Sequence, residues 1–259
     1  KYFRNRTMRR HVIKYIYSGI FGISFFLFLK IAIPSSAESI NTLDSEIIKK
    51  YQKIILEEPS NLNAHFNLGI LYYKNSQFDE ASREFHKVLE INPGDAETHY
   101  NIGNIFNKKN LFDDAIDSYK KAIAINPGDA GIFHNLGNAY AGKGMFDDAI
   151  SSYKKAVEIN PNLAESHRNI AYLYKKKGKT SESIQSFEKA SKSNSKDITM
   201  LLDLASAYES NGSQDRAILT YKRILSIDTN HKDAKNRLSM LCNNKGVSLA
   251  LQGKRDEAI

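Results

Sequence analysis

The chain has 259 residues, enough for one large or two ordinary domains, and a formal net charge of +8 at pH 7. Seven basic residues (Lys1, Arg4, Arg6, Arg9, Arg10, Lys14 and Lys30) fall in residues 1–37, which hold no acidic side chain; the other 30 face 29 acidic residues, so the bulk of the chain is close to neutral. That excludes the broad basic footprint of a nucleic-acid binder, and the single cysteine, Cys242, excludes an intramolecular disulfide.

The amino-terminal segment reads as an address. A basic stretch precedes an apolar run from Tyr15 to Leu29, followed by Ser35-Ser36-Ala37 before Glu38. Positive, apolar, then small-x-Ala is the order of a secretory signal peptide. The run is 15 residues, short of the ~20 that span a bilayer. Extending it to Ile33 takes in Lys30, whose stem can snorkel. Residues 1–37 are therefore expected to be a signal peptide cleaved after Ala37 or a retained membrane anchor. Either places everything after Glu38 outside the cytoplasm, in a periplasm or envelope.

Residues 38–61 supply Tyr51, Ile54 and Pro59 at the spacing of a second helix and are expected to cap the array that follows. From there the chain repeats every 34 residues. Leu68, Ile102, Leu136, Ile170 and Leu204 form one column, and Gly69, Gly103, Gly137, Ala171 and Ala205 the next. Further on stand Ala81, Ala115, Ala149, Ser183 and Ala217, then the rings Phe85, Tyr119, Tyr153, Phe187 and Tyr221. Five units are read, at 62–95, 96–129, 130–163, 164–197 and 198–231. Within each, apolar residues recur at helical spacing on either side of a short turn, so each unit is two antiparallel helices.

The Gly/Ala column points to a close helix approach. Gly inside a helix costs about 0.5–1 kcal/mol relative to Ala, and its exchange for Ala171 and Ala205 shows that small size is what the position needs. "NPGD" closes a unit: Pro halts the helix, Gly turns the chain, and Asp95 or Asp129 caps the next helix. After His231 the phase slips by seven residues, because Gly246 and Ala258 are 12 apart like Gly69 and Ala81. Residues 232–259 are expected to form an extended helix and the start of a further repeat, which breaks off in mid-unit.

These residues resemble the tetratricopeptide repeat (TPR), a 34-residue helix-turn-helix with "NLGxxY", "FDDA" and "NP" motifs. The family's Trp column is His65, His99, Phe133, His167 and Leu201 here. The resemblance implies an all-α, right-handed α-solenoid whose concave wall is lined by the first helix of each unit.

On that wall Asn recurs at one register: Asn67, Asn101, Asn135 and Asn169, then Asp203. Asn104 and Asn138, about 60° round the helix from Asn101 and Asn135, form a second row. Asn is a mediocre helix former, so the row calls for a reason. A carboxamide can bond the C=O and N–H of a peptide together, and one per repeat would hold an extended protein segment. The arrangement is similar to the asparagine ladder in the repeat region of O-linked N-acetylglucosamine transferase. The alternative is that the amides bridge adjacent units. Phe66, Tyr100, His134, Arg168 and Tyr172 share the wall, either as flat contact area for a ligand or as packing between units. The wall lacks the Lys/Arg placement of a carboxylate clamp.

The expected partner is a protein or peptide segment. No nucleic acid is expected, membrane contact only through the amino-terminal segment, and self-association through an uncapped end is a further reading. No nucleophile–base set, phosphate cradle or metal-ligand spacing is present, so neither catalysis nor a cofactor is expected within these residues. The alternative function is substrate recruitment for a catalytic domain beyond residue 259.

Overall fold

The computed structural model describes residues 36–251, with side chains from 44 to 248. The signal-peptide or anchor reading covers residues 1–37, of which 1–35 lie outside the described residues; so does Ala258, on which the truncated last unit rests. Among the described residues there are twelve helices and no strand. The chain divides into two units, residues 1–50 and 51–259. Of the first, only Ser36 onward is described, and it lies in helix α1 (Ser36–Glu57).

The second unit is an α-solenoid of paired helices: α2 (Leu62–Lys74) with α3 (Phe78–Ile91), α4 (Ala96–Lys108) with α5 (Phe112–Ile125), and α6 (Ala130–Gly142) with α7 (Phe146–Ile159). Next come α8 (Ala164–Lys176) with α9 (Thr180–Ser193) and α10 (Ile198–Ser210) with α11 (Gln214–Ile227), followed by α12 (Lys232–Leu251). At 20 residues α12 is seven longer than the 13-residue first helices α2, α4, α6, α8 and α10. No helix among the described residues is long and apolar enough to cross a membrane.

The turns explain the period. Inside each pair, three residues reverse the chain, and the middle one has positive φ: Ser76 at 60°, Asn110 at 58°, Gly144 at 83°, Gly178 at 71° and Gly212 at 70°. This left-handed conformation favours Gly and tolerates Asn, so Ser76 is the strained member. Between pairs, the Asn before Pro is pushed out of helix. Asn92 has φ −132° and ψ 89°, and its Oδ1 accepts from the Gly94 amide at 3.2 Å. Asp95, Asp129 and Asp197 then cap α4, α6 and α10, accepting from the amides of Thr98, Gly131 and Met200.

The core is a column of rings on small residues. Phe85, Tyr119, Tyr153, Phe187 and Tyr221 are at most 3% exposed. A Cβ added at Gly69, Gly103 or Gly137 would stand 2.6–2.7 Å from a carbon of Phe85, Tyr119 or Tyr153. That contact is what the small-residue column is for. Ser183, in the Ala column, disposes of its hydroxyl by donating to the Ala171 carbonyl at 2.8 Å.

Repeats are also cross-linked at their turns. Lys109 reaches back to Asp79 at 2.6 Å, and Lys143 pairs with Asp113, Lys177 with Asp147 and Lys245 with Asp215 in the same way. At the fourth-to-fifth step both partners are absent together, because Ser181 and Asn211 occupy those places. The first Asp of "FDD" therefore serves the next repeat. Its own helix also gains, since an acid in the first turn suits the helix dipole.

Candidate functional site

The rings of the first-helix face are packed within their own repeats. Phe66 lies 5.8 Å from Phe85, Tyr100 6.0 Å from Tyr119 and His134 5.5 Å from Tyr153, centroid to centroid. In the fourth repeat Arg168 takes the ring position, and Tyr172 meets Phe187 edge-on at 5.2 Å instead. Arg168 sits 5.5 Å over the Tyr172 ring and donates from Nε to Asp203 Oδ2 at 2.7 Å. Phe66, Tyr100, His134 and Arg168 are half-buried and Tyr172 is exposed, so each keeps an edge toward solvent.

Four asparagines form one hydrogen-bonded ribbon across three repeats. Asn135 Nδ2 donates to Asn104 Oδ1 at 2.9 Å and to Tyr100 Oη at 2.8 Å. Asn138 Nδ2 donates to Asn135 Oδ1 at 3.2 Å, and Asn169 Nδ2 to Asn138 Oδ1 at 3.2 Å. Two core tyrosines anchor the ribbon: Tyr119 donates to Asn104 Oδ1 at 2.8 Å and Tyr153 to Asn138 Oδ1 at 2.7 Å. Burial pushes the Tyr153 hydroxyl up to about 12 and the Tyr119 hydroxyl higher still, so both keep their protons and act as donors.

The four amides at one register are therefore not equivalent. Asn135 has spent both N–H donors, and Asn169 has spent one of two. Asn67 is exposed and Asn101 half-buried, and among the described residues neither has a side-chain hydrogen bond. The difference follows from the neighbouring repeat. Asn135 bonds the residues 35 and 31 positions earlier, Tyr100 and Asn104. For Asn101 the same offsets give Phe66 and Ile70, which offer neither donor nor acceptor. Asp203 repeats the 35-residue relation with Arg168, which explains why a carboxylate stands where the column had an amide.

Sequence reading missed the phenol anchors, although a signal for them exists. Asn104 and Asn138 occur where the ring 15 residues on is Tyr; where it is Phe85 or Phe187, the position is Ile70 or Tyr172, and in the fifth repeat Ser206 precedes Tyr221, whose hydroxyl donates to Glu209 Oε1 instead. It also stopped at the fifth repeat, before α12. There the same face continues past Asp203 to Asn236, Arg237 and Met240 of α12, lining a cleft of about 680 Å³. A smaller cleft of about 260 Å³ brings together Asn138, Asn169 and Tyr172.

The histidine column does a different job. Nε2 of His65, His99 and His167 donates to the carbonyls of Pro59, Pro93 and Pro161 at 2.9–3.0 Å. Each ties a first helix to the turn before it. No cluster of His, Cys, Asp or Glu among the described residues can hold a metal ion.

Family models described as "Tetratricopeptide repeat" match residues 62–95, 130–163, 152–185 and 198–231, and one described as "TPR repeat" matches 103–144. No curated protein sequence matches the chain significantly. Among solved structures, MamA is 26% identical with a TM-score of 0.57, covering 64% of this chain and 98% of its own. YrrB, a TPR protein with an unusual peptide-binding site, is 19% identical with a TM-score of 0.57, covering 72% of this chain and 96% of its own. PilF of Pseudomonas aeruginosa is 17% identical with a TM-score of 0.58, covering 76% of this chain and 95% of its own. The latter two likenesses carry the fold alone. With its repeats matched over more than half its length and the helix pairs stacked as described, the chain belongs to the tetratricopeptide-repeat family.

Proposed function

We propose that this TPR protein is an extracytoplasmic scaffold that holds an extended segment of a partner protein along its first-helix face. The observation that carries the reading is Asn101. It is a half-buried carboxamide with two donors and an acceptor unspent, beside the apolar Phe66 and Ile70 positions. Its amide atoms are not among the buried unsatisfied ones, so they are open to a ligand, and a main-chain peptide unit satisfies both the donor and the acceptor side. Asn67 offers the same group one repeat earlier, and Asn104 keeps both N–H donors free because only its oxygen is used. Asn135 and Asn138 hold the wall in shape.

The test is selection of binding peptides from a random library on the full chain. Affinity for the best binder should fall at least tenfold in the Asn67→Ala, Asn101→Ala double variant. It should be unchanged in Tyr153→Phe, which alters the ribbon and leaves the open amides. Unchanged affinity in the double variant would remove the asparagine reading. Export is supported by the basic-apolar-small order of residues 1–37. A reporter enzyme active only outside the cytoplasm, fused after residue 251, should be active; an inactive, well-expressed fusion would reverse the compartment.

A further inference from the structure

A second surface lies on the helices of the fourth and fifth repeats and shares no residue with the asparagine face. Leu204, Tyr208 and Leu219 floor a cleft of about 760 Å³ between α9, α10 and α11, within the range of roughly 300–1,000 Å³ typical of binding pockets. Leu219 is 68% exposed. The same position in the other repeats is Arg83, Asp117, Ser151 and Gln185, so an apolar residue has been placed where the period otherwise keeps a polar one.

The rim is basic. Lys192, Lys222 and Arg223 border the cleft, and among the described residues none of them is in an ion pair. The Arg223 column is neutralised locally in two other repeats, where Lys87 pairs with Glu90 at 2.7 Å and Lys155 with Glu158 at 2.6 Å, but not in the second, where Ala124 takes the Glu place beside Lys121. In the fourth and fifth repeats the Glu position holds Lys192 and Ser226. The one acid on the rim, Glu188, already accepts from Tyr208 Oη at 2.6 Å and lies 3.5 Å from Arg216. On α11, Leu219, Lys222, Arg223 and Ser226 recur at helical spacing and present one face.

We infer that this cleft docks an acidic segment of a partner protein that inserts an apolar side chain against Leu219 and sets carboxylates on Lys192 and Lys222. An apolar floor bordered by Lys192 and Lys222, neither in an ion pair among the described residues, and by Arg223, which donates to the Ser195 carbonyl at 2.8 Å, calls for that combination, with the buried anchor giving affinity and the rim charges giving orientation and rate. Leu204 and Tyr208, 5% and 7% exposed, lie recessed below the protruding Leu219, and such a recess suits an inserted side chain better than a flat lipid surface.

The test uses the full chain and a fluorescent peptide with a Leu-x-x-Phe pair flanked by glutamates, read by anisotropy. Saturable binding is expected, weakened at least tenfold by Leu219→Gln and by the pair Lys192→Glu, Lys222→Glu. All three sites are exposed, so the fold is spared. The Asn67→Ala, Asn101→Ala variant should bind this peptide as wild type does, which keeps the two surfaces distinguishable. No saturable binding would overturn the assignment, as would equal affinity for a peptide with Leu and Phe replaced by Ser. Binding to phosphatidylglycerol vesicles in place of the peptide, abolished by the same variants, would assign the patch to a membrane instead.

Discussion

Replacing Tyr153 by Phe removes one oxygen and leaves the ring where Phe85 and Phe187 already sit in sister repeats. The hydroxyl donates to Asn138 Oδ1 at 2.7 Å from a residue only 2% exposed. Such a bond is worth about 1 kcal/mol net, and the cost rises to about 1–3 kcal/mol when a buried partner is stranded. Asn138 Oδ1 is not stranded, since Asn169 still donates to it at 3.2 Å. The expected loss for Tyr153→Phe is therefore about 1 kcal/mol. Asn138→Ala should cost about 2 kcal/mol, because it leaves the Tyr153 hydroxyl, the Asn135 oxygen and the Asn169 amide each short of a partner. Urea unfolding of wild type, both single variants and the double variant, followed by circular dichroism, gives the coupling. About 1 kcal/mol is expected, and a value below about 0.3 kcal/mol would mean that the ribbon is not a unit.

Three further outcomes are expected. Ser76→Gly should stabilise the chain by up to about 1 kcal/mol by relieving the left-handed backbone at φ 60°, with a smaller gain for Asn110→Gly because Asn tolerates that region; a loss in urea midpoint for Ser76→Gly would contradict it. Thr98 Oγ1 is fully buried with no hydrogen-bond partner, so Thr98→Val should be neutral or stabilising by about 1 kcal/mol, read as a rise in Tm, and a clear fall would mean the hydroxyl is satisfied after all. Burial lowers the pKa of His134 and His167 below the ordinary 6.5. The unfolded chain then takes up protons first, so stability is complete above about pH 6.5 and falls as pH drops below it. The slope of Tm against pH should flatten in His134→Gln, and an unchanged slope would assign it elsewhere.

The fold was legible because each column carries one physical requirement that a single sequence displays. Gly103 and Gly137 announce a ring too close for a Cβ, and Asp95 and Asp129 announce caps. The face of the first helices was legible as a row and obscure as chemistry. Asn101 and Asn135 look identical within the column, yet one sits beside the Phe66 and Ile70 positions and the other bonds Tyr100 and Asn104. Their difference lives in offsets of 31 and 35, between columns and between repeats. The Tyr119 and Tyr153 anchors were hidden for a similar reason. A ring in a core column reads as packing, and its hydroxyl matters only beside an amide fifteen residues earlier.

If open carboxamides hold a guest chain by its backbone, N-methylation of the selected peptide is the sharpest probe, since it removes a main-chain donor and spares every side chain. Methylating the peptide nitrogen that meets Asn101 should weaken binding at least tenfold, in line with a loss of about 1.4 kcal/mol or more. Alanine substitution of the flanking side chains should change it less than about threefold, because an amide pair reads the main chain whatever side chain lies beside it. The reverse pattern, with methylation tolerated and side-chain truncation fatal, would contradict the account.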